Sequence, residues 1–250
     1  MSTILLAGES WSSTTIHTKG FDSFITSTYE EGADAFLAAL RAAGHDVTFQ
    51  PNHVAAEGFP ATAEELDAYD VIVLSDIGAN TLLLSSPVFR EGHSRPNRLK
   101  VLADWVEAGG SLLMVGGYLS FQGIEAKANY RATPLARVLP VEMEIGDDRQ
   151  EAPEGPRPTA TTDHAITRGL TDGTWPAVLG FHRLIAKEDS SVLAEVDGYP
   201  LLVVGTAGAG RTAALATDMG PHWLPTEFQN WPGFTALFQQ LIGWLAQPND

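Results

Sequence analysis

Residues 111–123 read Ser-Leu-Leu-Met-Val-Gly-Gly-Tyr-Leu-Ser-Phe-Gln-Gly, and this stretch decides how the rest of the chain is read. Four apolar residues, Leu112 to Val115, run into Gly116-Gly117, and small or polar side chains follow. An apolar run of that length bounded by glycine has the pattern of a buried strand. A sharp turn directly after it would aim one side chain into a cleft, the layout of a nucleophile elbow. The side chain so presented is Tyr118, expected at a strand-to-helix turn with a strained backbone. The 250 residues contain no cysteine, which excludes thiol chemistry, disulfides and thiolate metal sites. A phenol with a pKa of about 10 is a poor nucleophile toward an amide.

Outward from this strand, apolar runs alternate with helical stretches, the order of a doubly wound, mostly parallel sheet. Upstream, Thr3 to Gly8 is a first strand. Glu31 to Ala43 then sets Ala35, Phe36, Leu40 and Ala43 at helical spacing before Gly44, a helix stop. Val47 to Phe49 is a second strand, Ala61 to Leu66 a short helix, Asp70 to Ser75 a third strand, and Pro96 to Ala108 a helix ended by Gly109-Gly110. Downstream, Ser191 to Val196, Leu201 to Thr206 and Arg211 to Thr217 read as strands. Ala207 to Gly210 joins the last two in a hairpin. Phe234 to Leu245 closes the chain as an amphipathic helix. The order predicts an α/β, flavodoxin-like sheet with a C-terminal β-hairpin and helix, in a single domain over 1–250. Residues 146–158 are polar and proline-rich, and are expected as an exposed loop insert.

Acidic residues number 31 against 15 Lys and Arg, a formal charge of −16. Phosphate backbones need clustered cations, so a nucleic-acid partner is not expected. The run Ile4 to Ala7 gives way at once to Gly8-Glu9-Ser10, and no stretch approaches the roughly 20 apolar residues of a membrane span. A cytoplasmic protein without a membrane partner is expected. Trp223, Phe228, Trp231 and Phe234 exceed what a small domain should need to bury, and predict a homo-oligomer.

In an open parallel sheet, ligands bind beyond the carboxyl ends of the strands. Three such segments are rich in polar groups. GESWSSTTIHTKGFD, after the first strand, holds Glu9, Ser10, Trp11, His17, Lys19 and Asp22. The stretch after the fourth holds Tyr118, Ser120 and Gln122, and DMGPHW, after the last, holds Asp218, His222 and Trp223. The topology predicts that they converge, with His17, Lys19 and Asp22 folding over the same pocket as Asp218 and His222. Lys19 would favour an anionic group on the ligand. Glu9, Asp218 and His222 are the acid and base candidates, and Tyr118 and Ser120 the donors toward developing negative charge. Ser10, Trp11, His17, Lys19, Asp22, Gln122 and Trp223 are the ligand-contact candidates. His17, Asp22, Asp218 and His222 offer N and O donors, but no local pair such as HExxH exists, so neither metal nor cofactor is assigned. GTAGAGR, at 205–211, has no helix after it and reads as a hairpin turn, not a dinucleotide loop. His182, between apolar Leu179 and Leu184, is expected to make a structural hydrogen bond.

Against the class I glutamine amidotransferase elbow (glycine, any residue, cysteine, leucine, glycine, histidine, glutamine), Gly116, Leu119 and Gln122 coincide. Tyr118 stands where the thiol belongs, and Ser120 and Phe121 replace glycine and histidine. Together with GESW, GFHRL at 180–184, PLLVV before GAGR, and DMGPHW followed by FQNWPGF, the whole chain resembles cytoplasmic proteins grouped as glutamine amidotransferase-like, near the trehalose-utilisation-like and DJ-1/PfpI proteins. The resemblance implies a class I amidotransferase-like fold, and a glutamate after the first strand, here Glu9, facing the elbow at Tyr118 or Ser120. Glutamine hydrolysis by the family mechanism is excluded without the thiol. The expected function is binding of a small polar metabolite, sugar-derived among the options, in the strand-end cleft. The alternatives are a hydrolase or isomerase using Glu9, Asp218 and His222, and a structural oligomeric subunit; whether the chain is an enzyme is left open.

Overall fold

The apolar runs of the sequence lie side by side in one sheet of eight strands in the computed structural model, which describes residues 1–247. In chain order the first half contains β1 (Thr3–Gly8), β2 (Ser10–Lys19), β3 (Asp22–Glu31), α1 (Asp34–Ala42), β4 (Asp46–Gln50), α2 (Asn52–Gly58), α3 (Ala63–Leu66), β5 (Val71–Ser75), α4 (Ala79–Leu83), α5 (Ser86–Phe89), α6 (Arg98–Glu107) and β6 (Ser111–Val115). The second half contains α7 (Leu135–Val138), β7 (Val141–Met143), β8 (Arg149–Glu151), β9 (Thr159–Ala160), β10 (Gly180–His182), β11 (Leu184–Ala186), β12 (Ser191–Val196), β13 (Tyr199–Ala207), β14 (Gly210–Leu215), α8 (Thr226–Gln229) and α9 (Pro232–Leu245).

The sheet order is β4-β1-β5-β6-β14-β13-β12-β9. The first five strands are parallel and the remainder antiparallel. Numbered by their own succession, the parallel strands lie 2-1-3-4-5, the flavodoxin order. Every residue of β5 and β6 is buried, because α1 and α9 pack on one face and α2, α4 and α6 gather on the other. Strands covered on both faces read as continuous apolar runs. Phe36 of α1 meets Phe238 of α9 edge to face at 5.0 Å, and the Asn97 side chain caps α6 by accepting from Lys100 N at 3.0 Å.

Four sequence expectations change. The stretch after β1 is not a loop but the hairpin β2–β3, two strands of ten residues paired along their full length. Residues 146–158 are not an exposed insert: β8 pairs with β10, and Asp148, Ala152 and Pro158 are buried. Asp147 pairs with Arg149 and buried Asp148 with His182, so these charges sit in ordered structure despite the segment's polarity. No α-helix follows β6 before α7; the chain passes through turns and two short 3-10 segments, so Tyr118 is not at a strand-to-helix elbow. Trp223, Phe228 and Phe234 are at most 2% exposed, with Trp175 against Phe228 and Trp231. These rings fill the chain's own core and supply no argument for an interface.

Candidate functional site

The order 2-1-3-4-5 puts the topological switch point between β1 and β5, where chains leave adjacent strands in opposite directions and open a crevice. The register sets Gly8 beside Ser75, so the first residues past the two strands are Glu9 and Asp76. Both lie in the left-handed region, with φ of 49° and 44°, a conformation that costs a side-chain-bearing residue about 1–3 kcal/mol. Strain is stored here and not at Tyr118, whose φ is negative.

Glu9 is buried. Its backbone N donates to Ser75 O at 2.8 Å, and its Oε2 accepts from Ser75 Oγ at 2.6 Å. Its Oε1 is walled by two glycines: a Cβ on Gly32 or Gly220 would come within 2.5 or 2.6 Å of it. Its carboxyl lies within interaction range of that of Asp218, whose Oδ1 accepts from Met219 N at 2.7 Å and Gly220 N at 3.0 Å. Two carboxyls in contact hold together when one carries a proton. Burial foremost, then the charges of Asp218 and Asp76, push Glu9 well above the usual carboxylate range. Burial foremost, then Asp76, pushes Asp218 up to about 7. Asp76, also raised by burial, is the group that grips the segment after β6. Its N donates to Ser120 Oγ at 3.0 Å and its Oδ1 accepts from Leu119 N at 2.6 Å. The resemblance implied that contact for Glu9. The sequence signal for Asp76 was its place directly after the third strand.

Above this floor stand aromatic rings. Trp11 lies 4.7 Å from His222, and Tyr118 lies 5.7 Å from both His222 and Trp223. The Arg149 guanidinium sits 4.7 Å over the Tyr118 ring. Two carboxylates fix the indoles: Glu30 Oε2 accepts from Trp11 Nε1 at 2.8 Å and Glu151 Oε2 from Trp223 Nε1 at 3.1 Å. Burial, then the neighbouring Glu151, raises Tyr118 above its ordinary value. Arg149 is braced by Asp147 through Nη2–Oδ2 at 2.9 Å, and that bond holds Asp147 far below the usual carboxylate range. Trp11, Glu30, Glu31, Pro221 and His222 line an open concavity of about 470 Å³.

Behind the rings is a buried brace. His182 Nε2 donates to Gly117 O at 3.0 Å, and its Nδ1 meets Asp148 Oδ1 at 2.8 Å. Asp148 also accepts from Gln122 N at 3.1 Å and Gly123 N at 2.9 Å. His182 therefore makes the structural bond that its apolar setting suggested. Asp148, Arg149 and Glu151 were missed because they fall in the segment read as a loop.

The sequence candidates divide. Glu9 and Asp218 meet in the floor, with Tyr118, Trp11, His222 and Trp223 above them. Ser10, Ser120 and Gln122 are committed to framework: Ser10 Oγ accepts from Asn52 N, Ser120 Oγ from Asp76 N, and Gln122 Oε1 from Arg131 N. His17, Lys19 and Asp22 are not brought to Asp218 and His222 within the chain. They sit toward the far end of the hairpin, about 23 Å (His17) to 30 Å (Lys19, Asp22) from its base at roughly 3.3 Å per residue. There His17 stacks on Phe24 at 4.5 Å, and Lys19 faces Asp22 across the strands. Among the described residues no group of three or more His, Asp or Glu is arranged to hold a metal ion.

Over residues 3–247 the chain matches the family model described as "putative glutamine amidotransferase". It belongs to that family. Among solved structures it is similar to cytoplasmic protein STM1381 from Salmonella typhimurium LT2, with 48% identity over 98% of this chain and 100% of that one and a TM-score of 0.94. It is similar also to cytoplasmic protein STM3548 from Salmonella typhimurium, with 44% identity over 99% of each chain and a TM-score of 0.94. A ThuA-like protein from Bacteroides uniformis ATCC 8492 shares the fold at 11% identity and a TM-score of 0.56, over 97% of this chain and 90% of that one. No curated protein matches. No helix among the described residues is long and apolar enough to cross a membrane.

Proposed function

We propose that the chain is a cytoplasmic family member without glutaminase activity that binds a small polar metabolite, sugar-like in kind, at the mouth of the β1/β5 crevice. The observation that carries this is the ring wall of Trp11, His222 and Tyr118 standing over the Glu9–Asp218 pair. Aromatic faces flanked by Glu30, Glu31 and Arg149 offer stacking and hydrogen bonding together, the mixture a hydroxyl-rich ring requires. Catalysis of the amidotransferase type has no nucleophile here: the chain lacks cysteine, and the Tyr118 hydroxyl is harder to ionise than a free phenol. Gly32 and Gly220 close over the Glu9 carboxyl, which favours binding over acid–base turnover. The second reading, a hydrolase or isomerase, rests on Asp218 being raised to about 7, where a carboxyl exchanges protons at neutral pH.

The test is a thermal-shift panel of sugars, sugar acids and polyols at pH 7, with hits confirmed by calorimetry. The expected hit binds Trp11→Ala and His222→Ala at least tenfold more weakly while their melting temperatures hold, and no ammonia is released from glutamine. Equal binding by both variants, or glutamine turnover above background, would overturn the reading.

A further inference from the structure

The charge of the cleft is opposite to the one that Lys19 led the sequence to predict. Lys19 lies at the tip of the hairpin, paired across the strands with Asp22. Arg149, the guanidinium at the ring wall, is already engaged: its Nε and Nη2 donate to Asp147 at 3.0 and 2.9 Å, and its Nη1 to Glu151 at 3.2 Å. Asp148 is matched by His182, and Asp76 accepts from Leu119 N. Two carboxylates remain. Glu30 and Glu31 both line the concavity, with Trp11, Pro221 and His222. Glu30 Oε2 accepts from Trp11 Nε1 at 2.8 Å, and Glu31 Oε1 accepts from the Tyr29 hydroxyl at 2.7 Å. Each keeps its second oxygen without a donor among the described residues, and neither meets a Lys or Arg there.

We infer that the ligand of this cleft is a cation, an amine of the amino-sugar class, whose ammonium group seats against the Trp11 ring and the open oxygen of Glu30, with Glu31 beside it. The cationic ligand presupposes the binding function proposed above. The ring wall makes the concavity a site, and the two carboxylates decide which charge enters it. An indole attracts a cation through the negative face of its ring. The Glu30 bond to Nε1 holds that indole in place while the other Glu30 oxygen stays open. An ammonium offers three donors and no acceptor, and its bond to a carboxylate is roughly twice as strong as one between neutral groups. A hydroxyl at the same point gains less. The wider field acts in the same direction, because a chain with a formal charge of −16 draws cations into an acidic cleft and turns anions away. A sugar acid or sugar phosphate would have to place its charge near Glu30, Glu31 and Glu151, and Arg149 is not free to receive it.

The experiment is calorimetric titration of the full chain at about pH 7 with glucosamine, glucose, N-acetylglucosamine and glucuronate, at about 20 mM and about 200 mM salt. Glucosamine is expected to bind about fivefold more tightly than glucose or N-acetylglucosamine, with the advantage shrinking at the higher salt and glucuronate binding weakest. Glu30→Gln removes the charge and keeps an acceptor for Trp11 Nε1. Combined with Glu31→Gln, it should bring the glucosamine-to-glucose affinity ratio toward one while the melting temperature holds. Cyclohexylamine, a ring amine without hydroxyls, separates the cation from the sugar. Glucose bound as tightly as glucosamine, glucuronate bound more tightly, or a ratio that the two substitutions leave intact overturns the cationic ligand and leaves sugar binding standing. Cyclohexylamine bound through Glu30 with no sugar bound keeps the cation and overturns the sugar. No binding by any of these probes overturns both.

Discussion

The cleft floor and the hairpin arm begin one residue apart, at Glu9 and Ser10, and are opposite kinds of structure. The floor is buried, strained and loaded with acid groups; the arm is exposed and regular, and beyond Glu30 and Glu31 at its base carries only Lys19 and Asp22 as charges. Burying Glu9 beside Asp218 costs stability that the sheet's apolar core absorbs, and such an expense suits a place that must hold a proton. Exposing Ile16 and Ile25 is unfavourable in a different way, relieved only when something covers them. The chain thus concentrates its unfavourable groups on either side of one strand end, one set turned inward and one outward.

The contrast can be broken at several points. The largest effect is expected from His182→Ala, which leaves Asp148 buried without its imidazole. Loss of one member of a buried pair costs about 3–5 kcal/mol, so the melting temperature should fall by roughly 10 °C, at about 2–4 °C per kcal/mol. A fall under about 2 °C by calorimetry would show that the brace is dispensable.

Asp218→Asn should act in the opposite direction and only at higher pH. A carboxyl whose folded pKa lies above its unfolded value binds its proton more tightly in the native state. Stability is then full below the unfolded value near 4 and declines as pH rises toward the folded value of about 7. About three pKa units at 1.36 kcal/mol each set a ceiling of about 4 kcal/mol on that decline. The variant should be more stable than wild type at pH 8 by several degrees, and equal to it at pH 4. Superimposable pH profiles of the two proteins would remove the raised carboxyl from the account.

The smallest effect belongs to the arm. Ile16→Lys with Ile25→Lys, unfolded by urea at submicromolar concentration, should shift stability by less than about 0.5 kcal/mol, as exposed positions do. A larger loss would mean that the hairpin supports the fold and is not a separate arm.

The same contrast explains what could be read in advance. β5 and β6 were legible because strands buried on both faces are unbroken apolar runs, and β12 matched residue for residue. The arm was not, because SSTTIHTK and DSFITSTY bury neither face, and the β-branched richness around Gly20-Phe21 was outweighed by polarity. Glu9 and Asp218 were found by the rule that strand ends carry function. Asp76 stands at a strand end too, but it matters through the register of Gly8 on Ser75 and its bonds to Leu119 and Ser120, which no local pattern displays. Asp148 and Arg149 were hidden because a buried charge with its partner looks, in sequence, like a charge in a loop.

The most direct test follows the Glu9 and Asp218 carboxyl carbons by 13C NMR from pH 4 to 9, with Glu9→Gln and Asp218→Asn to assign the signals. The expected result is a coupled pair that retains a proton through neutrality, with the last ionisation at or above about pH 7. Two carboxyls both fully ionised by pH 5 would contradict it and leave the cleft without its proton-holding floor.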